Sequence, residues 1–331
     1  MSAVIEEARP PAAVRRVIKG RPTSSDRAFV AAARSAAVST LVIMGLIGLF
    51  LAIGAWPALK QQGFSFVTES QWLPEAGTFG ISSLLWGTIL VGLFALIVAI
   101  PVSFGAALFI SEYAPRSIKK ALVTVVDLMA AVPAVIYAIW ALFFLQERLL
   151  PVAQWLSIHL SGVLPFFGVD VPDSPSSYTS SAFIAGIAVG FVVMPTMTSV
   201  MREVFSQAPT GEREGAIALG ATRWGMIRSV VIPFGRAGII GGIMLGLGRA
   251  LGETIVVFAI ISPMFEFTTH PLESGTNTIA AHIAIRYSES SGVALSGLLG
   301  AGLILFAFTL VINTIAGVAV SRSRSGAATE I

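Results

Sequence analysis

Apolar and polar positions fall in long blocks along this chain, not in residue-by-residue alternation. Six apolar runs stand out, at about Val38–Trp56, Leu84–Ile110, Leu122–Leu145, Ala182–Val200, Ala237–Ile261 and Val293–Val320. Each is near or above the roughly 20 residues an α-helix needs to cross about 30 Å of hydrocarbon. The pattern predicts an all-α polytopic membrane protein with six transmembrane helices. The second and sixth runs exceed the minimum, so tilt or kinks are expected there. Pro101, with Gly105 after it, marks the expected kink in the second, and Pro133 interrupts the third, because proline removes a backbone donor and crowds the preceding turn. The first run begins at Val38 and five more follow, which is unlike a cleaved signal peptide. Residues 1–35 read as a mobile N-terminal extension rich in Ala, Pro, Ser and Arg, 36–320 as the transmembrane domain, and 321–331 as a short polar tail.

Composition agrees with the pattern. Apolar residues make up 55% of the 331 positions and charged residues 12%, against about 25% charged in a soluble domain. Mean hydropathy is +0.84. With no cysteine, disulfides, iron–sulfur clusters and thiol catalysis are excluded. The net charge of +3 is small, so its distribution carries the information. Of the 21 Lys and Arg residues, only Lys60, Arg148 and Arg286 fall in the connections of one side, and Arg249 lies inside a span. The others, from Arg9 to Arg34, Arg116 to Lys120, Arg202 to Arg236, and Arg322 with Arg324, share the opposite side. The positive-inside rule makes that side cytoplasmic and places both termini there.

The three outer connections are rich in aromatic residues. They carry Phe64, Phe66, Trp72 and Phe79, then Trp155, Phe166 and Phe167 with Asp170 and Asp173, then Phe265, Phe267, His270, Asn277 and His282. Two readings stand: interfacial aromatics on solvated turns, or a docking surface for a soluble partner. His159, His270 and His282 all fall in these connections and make no convincing metal triad; no metal or cofactor is expected on this chain.

The longest inner connection, 202–236, is not a linker by composition. Pro209-Thr210-Gly211 supplies a start, and Glu212 and Glu214 lie where the helix dipole favours acids. Helical residues follow to Gly220, a candidate C-cap. Trp224, Ile227 and Val231 continue at helical spacing, and Pro233 is expected to end or redirect the segment. A helix this short is not stable alone in water, so it packs on the membrane domain, on a partner, or on both. It reads either as an interfacial helix or as a lever that a partner pushes.

Arg249 sits in the middle of the fifth run, about twelve residues from either end, or roughly 18 Å. Glu253 follows at i+4, so on a continuous helix the two share a face and neutralise each other. A lone Arg at the bilayer centre costs at least about 2.5–3.5 kcal/mol. The pair is therefore expected to face the interior or an aqueous cavity, as a structural ion pair or as a substrate site. An arginine fork matches the oxygens of a tetrahedral oxyanion. Gly252 and Thr254 complete the candidate pathway group. Gly238, Gly242 and Gly246 repeat at spacing four, and Gly248 and Gly252 form a second such pair; small residues let membrane helices approach closely. Asp127 is a second buried candidate, for pairing or for gating an inner mouth. Pro133 and Tyr137, four residues apart, suit a bent helix lining a pathway or ordinary packing.

Two strings then carry a family resemblance. Glu214-Gly215-Ala216, three residues, Gly220, nine residues, Val230, one residue and Ile232-Pro233 resembles the EAA-x3-G-x9-I-x-LP loop of binding-protein-dependent ABC importer permeases. Gly215, Val230 and Ile232 depart from it, and Gly215 costs roughly 0.5–1 kcal/mol of helix propensity against Ala. The string Gly248-Arg249-Ala250-Leu251-Gly252-Glu253-Thr254 is similar to the fifth-helix signature of phosphate ABC importer permeases of the PstC and PstA type. Ser111-Glu112-Tyr113-Ala114-Pro115 and Ala131-Val132-Pro133-Ala134-Val135-Ile136-Tyr137 agree with it, and the resemblance runs over about Ala32–Val320.

The resemblance implies the ABC importer permease fold in a bacterial plasma membrane. It implies a coupling helix over Glu212–Gly220, with Glu212, Glu214, Gly215, Ala216, Gly220 and Pro233 in the ATPase-coupling element. It implies a phosphate-passage role for Arg249 and Glu253. Its implied partners are a PstA-like second permease, two PstB-like ATPase subunits that bind ATP and Mg, a PstS-like phosphate-binding protein, inorganic phosphate and membrane lipid; no nucleic acid is expected. The chain has no G-x4-G-K-[ST] string and is expected to be a non-catalytic subunit. Permeases for molybdate or sulfate and an ion-coupled secondary transporter are the alternative readings.

Overall fold

The computed structural model describes residues 23–261 and 268–323. The N-terminal segment to residue 22, the part of the third outer connection that holds Phe265 and Phe267, and the tail beyond 323 lie outside the described residues. Residues up to Leu49 and residues from Phe50 onward form two compact units. In the first unit, helix α1 (Ser24–Gln62, which runs on into the second) begins well inside the expected extension. Asp26 explains the early start. Its carboxylate accepts the Thr23 N–H at 3.0 Å and also the Thr23 hydroxyl, the return half of a capping box. Leu41, Ile43, Leu46 and Leu49 are all exposed, as lipid-facing positions of a spanning helix are.

The second unit holds nine further helices of six residues or more among the described residues. They are α2 (Ser82–Tyr113), α3 (Arg116–Ala131), α4 (Ala134–Leu160), α5 (Ala182–Ser206), α6 (Thr210–Ala218), α7 (Arg223–Leu251), α8 (Ile255–Ile260), α9 (Ile279–Arg286) and α10 (Gly292–Ser323). Among the described residues, six helices are long and apolar enough to cross a membrane: α1, α2, α4, α5, α7 and α10. The α5 helix is the central one, with more of its apolar stretch buried than any other span. It packs between α2 and α7. Gly186 sets the close approach to α2: a Cβ there would lie 2.9 Å from the Val91 carbonyl, so backbone meets backbone.

The third span is displaced from its expected place. The run Leu122–Leu145 does not form one helix. Val132 and Pro133 are extended, with ψ of 129° and 137°, and separate α3 from α4. Proline disfavours helical geometry in the residue before it and restarts the helix after it. The spanning helix is therefore α4, and Gln146–Leu160, with Arg148, Trp155 and His159, belongs to it and not to an outer connection. The α3 helix is amphipathic and has no buried residue. Pro101 and Pro195 are carried inside their helices. Pro233 is too: a π-turn over Ile227–Val231 directly precedes it, and α7 runs on to Leu251 without ending there.

Three of the four aromatics expected on the first outer turn are core residues. Trp72–Leu73 and Thr78–Phe79 form a two-stranded hairpin, with Trp72 opposite Phe79. Phe66, Trp72 and Phe79 are buried and pack edge to face, with ring centroids 5.8–6.1 Å apart. They therefore offer no docking surface, and among the four only Phe64 is exposed. Trp72 also meets His282 at 4.6 Å.

His282 lies on α9, outside the six spans, and is wholly buried. Burial, reinforced by the nearby Arg286 charge, lowers its pKa to about 4. The unfolded chain takes up a proton below about pH 6.5, before the folded chain does. Stability is therefore complete above about pH 6.5 and is lost as the pH falls toward 4, by on the order of 3 kcal/mol in total. Thermal unfolding between pH 7 and pH 4 tests this. The slope should flatten in His282→Gln; an equal slope in both proteins excludes the histidine as its source.

Candidate functional site

The proposed pathway group is built where α7 ends. The helix stops at Leu251, Gly252 has φ −95° and ψ 0°, and α8 starts only at Ile255. The fifth span is thus broken within its expected range, and Arg249 and Glu253 do not share a continuous helix. Among the described residues they form no ion pair, which corrects the i,i+4 expectation. Glycine at position 252 supplies the physical reason: it stabilises helix least of the non-proline residues, and here it follows the last helical residue.

Arg249 is stabilised differently. It lies in the last turn of α7, where the unpaired carbonyls carry the negative end of the helix dipole. Its Nη1 donates to the Thr196 hydroxyl of α5 at 2.9 Å. Tyr137 of α4 is within electrostatic reach of the guanidinium. Arg249 is half-buried, and Thr196 is its hydrogen-bond partner among the described residues. An arginine has five N–H donors, and one of them is engaged here among the described residues. Glu253 and Thr254 are half-buried in the break, and the Thr254 hydroxyl donates to the Gly252 carbonyl at 3.2 Å.

Asp127 is not buried. It lies on α3 with its side chain 54% exposed, accepts from the Ser199 hydroxyl at 3.0 Å and stands 4.0 Å from Arg202. This fits pairing between α3 and α5. Pro133 and Tyr137 do not line one face of a bent helix, because Pro133 precedes α4. Instead the Tyr137 hydroxyl donates to the Met129 carbonyl at 3.0 Å and ties α4 back across the break.

The spacing-four glycines divide into two kinds. Gly238, Gly242 and Gly246 face Val204, Met201 and Met197 of α5 in turn, and the next step along this antiparallel pair brings Arg249 to Thr196. Gly248 has open space where a Cβ would stand, and Gly252 meets only its own preceding turn. The second pair is therefore not a helix contact within this chain.

The inner connection forms the expected helix. In α6, Glu212 is in the first turn, and the helix ends in a Schellman arrangement. Gly220 has φ +87°, its N–H donates to the Ile217 carbonyl at 2.9 Å, and the Ala221 N–H donates to the Ala216 carbonyl at 3.0 Å. Gly215 has open space around it, so it permits no closer contact within this chain. Thr222 caps α7 by accepting the Gly225 N–H at 3.1 Å. Leu219, Ile217 and Trp224 are exposed. The motif spacing did not single out Arg213, which reaches Glu112 at 3.2 Å.

A separate cavity of about 690 Å³ opens beside the hairpin, lined by Trp72, Pro74, Glu75, Arg286 and Glu289 among others. Arg249 does not line it. His159 stacks on Trp155 at 4.7 Å within α4, away from buried His282, and among the described residues no group of three His, Cys, Asp or Glu could hold a metal ion.

Six spanning helices, a short capped helix between the fourth and fifth spans, and a charged break in the fifth define the class: an importer-type membrane permease. The family model described as "binding-protein-dependent transport system inner membrane component" matches residues 99–325, and the chain belongs to that family. It is a non-catalytic, multi-pass component of the bacterial inner membrane. A phosphate transport system permease protein PstC of Mesorhizobium japonicum is 36% identical over 306 residues, covering 92% of this chain and 93% of that protein. PstC 2 of Mycobacterium tuberculosis is 38% identical over 301 residues, covering 89% and 92%. Among solved structures, a bacterial ABC transporter involved in the import of the acidic polysaccharide alginate aligns with TM-score 0.57 and 20% identity over 89% of this chain and 99% of that one, a likeness of fold.

Proposed function

We propose that this chain is the transmembrane permease subunit of an ATP-driven importer of inorganic phosphate. The observation that carries the reading is Arg249: a half-buried guanidinium at a broken spanning helix, in a chain related over nine-tenths of its length to phosphate permeases. Both termini are cytoplasmic, 36–320 is the permease domain, and 202–236 is its coupling element. A PstA-like permease completes the pathway. A PstS-like protein delivers phosphate from outside, and two PstB-like ATPase subunits bind ATP and Mg, one of them docking on α6 at its exposed Glu212 and Ile217 and at Leu219 just past its end.

ATP-driven closure of the ATPase pair moves α6, and with it α7, so that the pathway opens outward. Phosphate then passes Arg249, whose donors replace part of its hydration shell. Glu253, Thr254 and Gly252 shape the break through which it moves. Hydrolysis restores the inward-facing form, and phosphate itself is not chemically changed.

The test is uptake of micromolar phosphate by cells that lack high-affinity uptake and carry the complete transporter, with molybdate and sulfate as competitors. ATP-dependent phosphate uptake that neither competitor suppresses supports the assignment. Uptake of molybdate or sulfate in place of phosphate transfers the reading to that anion, and uptake without the ATPase subunits favours an ion-coupled carrier.

A further inference from the structure

The inner end of α2 finishes in a π-turn, Phe109–Tyr113, and its acid is buried: the Glu112 side chain is 4% exposed. A carboxylate out of water is costly unless paired and hydrogen-bonded. Two elements far along the chain supply the partners. Arg213 of α6 places Nη1 3.2 Å from both carboxylate oxygens, and its Nη2 donates to the Phe205 carbonyl at the end of α5. Arg223, the first residue of α7, donates to the Glu112 carbonyl, and its guanidinium lies 4.9 Å from the Tyr113 ring centroid. The Ser111 hydroxyl adds a hydrogen bond to the carboxylate at 3.0 Å, and Lys119 of α3 holds the Ser111 carbonyl at 3.1 Å.

Helix α6 otherwise packs through half-buried Ala216 and against the start of α7. It is nine residues long and none of them is buried. A helix of that length is marginal in water. The covalent chain links it to α5 and α7, but its one charged anchor among the described residues is Arg213 on Glu112.

We infer that Glu112 is a positioning residue, the fixed end of a clamp through which a push on α6 reaches α2 and α5 as well as α7. A buried ion pair is weak evidence for stability and better suited to fixing one register between elements. Here it fixes α6 against the ends of two packed spans. The inference rests on α6 being the ATPase-facing element. Without the carboxylate, α6 rocks under the ATPase while the spans stay in place, so ATP is hydrolysed without transport.

The experiment uses the complete transporter in liposomes and reads ATPase co-purification, ATP hydrolysis, and phosphate transported per ATP. In Glu112→Gln the ATPase subunits should remain bound and hydrolysis should persist, while phosphate per ATP falls at least tenfold. The chain has no cysteine, so the double variant Glu112→Cys/Arg213→Cys can be bridged by a bifunctional thiol cross-linker of matching span. Bridging should restore transport per ATP; a structural role alone predicts no such rescue. A native ratio of transport to hydrolysis in Glu112→Gln overturns the clamp. If that variant does not assemble, the double variant decides: recovery on bridging supports the clamp, and a bridged, assembled but uncoupled complex overturns it. Cross-linking of Leu219→Cys to the ATPase checks the underlying docking separately, because its failure overturns the assignment of α6 whatever Glu112→Gln does.

Discussion

Arg249→Ala lowers phosphate uptake by the assembled transporter about 100-fold or more, with ATPase association unchanged. The magnitude follows from what the side chain supplies. Hydrogen bonds to a charged group contribute roughly 1.5–3 kcal/mol each, and the loss of about 3 kcal/mol is about two powers of ten. Arg249→Lys should recover part of the uptake: it keeps the charge but loses the planar fork and, with it, bidentate geometry. Glu253→Gln separates two accounts of the site. A neutralising partner of Arg249 could not be removed without leaving a buried charge unpaired, at about 3–5 kcal/mol. The helix ends before Glu253 and no ion pair joins the two among the described residues, so Glu253→Gln should keep uptake within a few-fold of native. Initial rates of radiolabelled phosphate uptake, normalised to transporter in the membrane, measure all three. Native rates in Arg249→Ala would remove the arginine from the pathway.

Apolar runs of about 20 residues are legible because lipid contact demands them, and the number of spans follows directly. Hydropathy alone misplaces the third span, because a run of apolar residues has no phase. Leu122–Leu145 is apolar enough to span, but Pro133 divides it and α4 continues through polar Gln146 and Arg148. The break at Gly252 has a signal in the glycine itself, yet hydropathy stays high on both sides of it, so the sequence pattern predicts a continuous helix there. The early start of α1 was also written in the sequence, as Thr23 three residues before Asp26. The inner helix and its cap were legible because Gly220 and the two glutamates are local signals. The Glu112 clamp was not, because it joins positions 101 and 111 residues apart, and no local spacing encodes such a contact.

The arginine's place depends in turn on how closely two helices meet. Along α7, Gly235, Gly238, Gly242 and Gly246 stand against Phe205, Val204, Met201 and Met197 of α5, and the same register delivers Arg249 to Thr196. A Cβ at position 238 would stand 2.8 Å from the Val204 Cβ. Val204 is β-branched and stiff at χ1, so it cannot turn aside cheaply. Gly238→Val therefore forces the helices apart and should destabilise the permease by about 1–3 kcal/mol. It should also cut uptake sharply, since a shift of about 1 Å is enough to disable a positioned group. Gly248→Ala is the control, because among the described residues nothing beyond its chain neighbours and the backbone of its own helix lies within 4 Å of the added methyl; its thermal midpoint should equal or exceed the native one, alanine being the better helix former. Pairing Gly238→Val with Val204→Ala returns the lost volume and should restore much of both stability and uptake, the coupling expected of residues in direct contact. Thermal unfolding of the purified permease and uptake by the complete transporter measure the series. A native midpoint for Gly238→Val, or a double variant no better than the single, would mean that some other contact sets the spacing of α5 and α7.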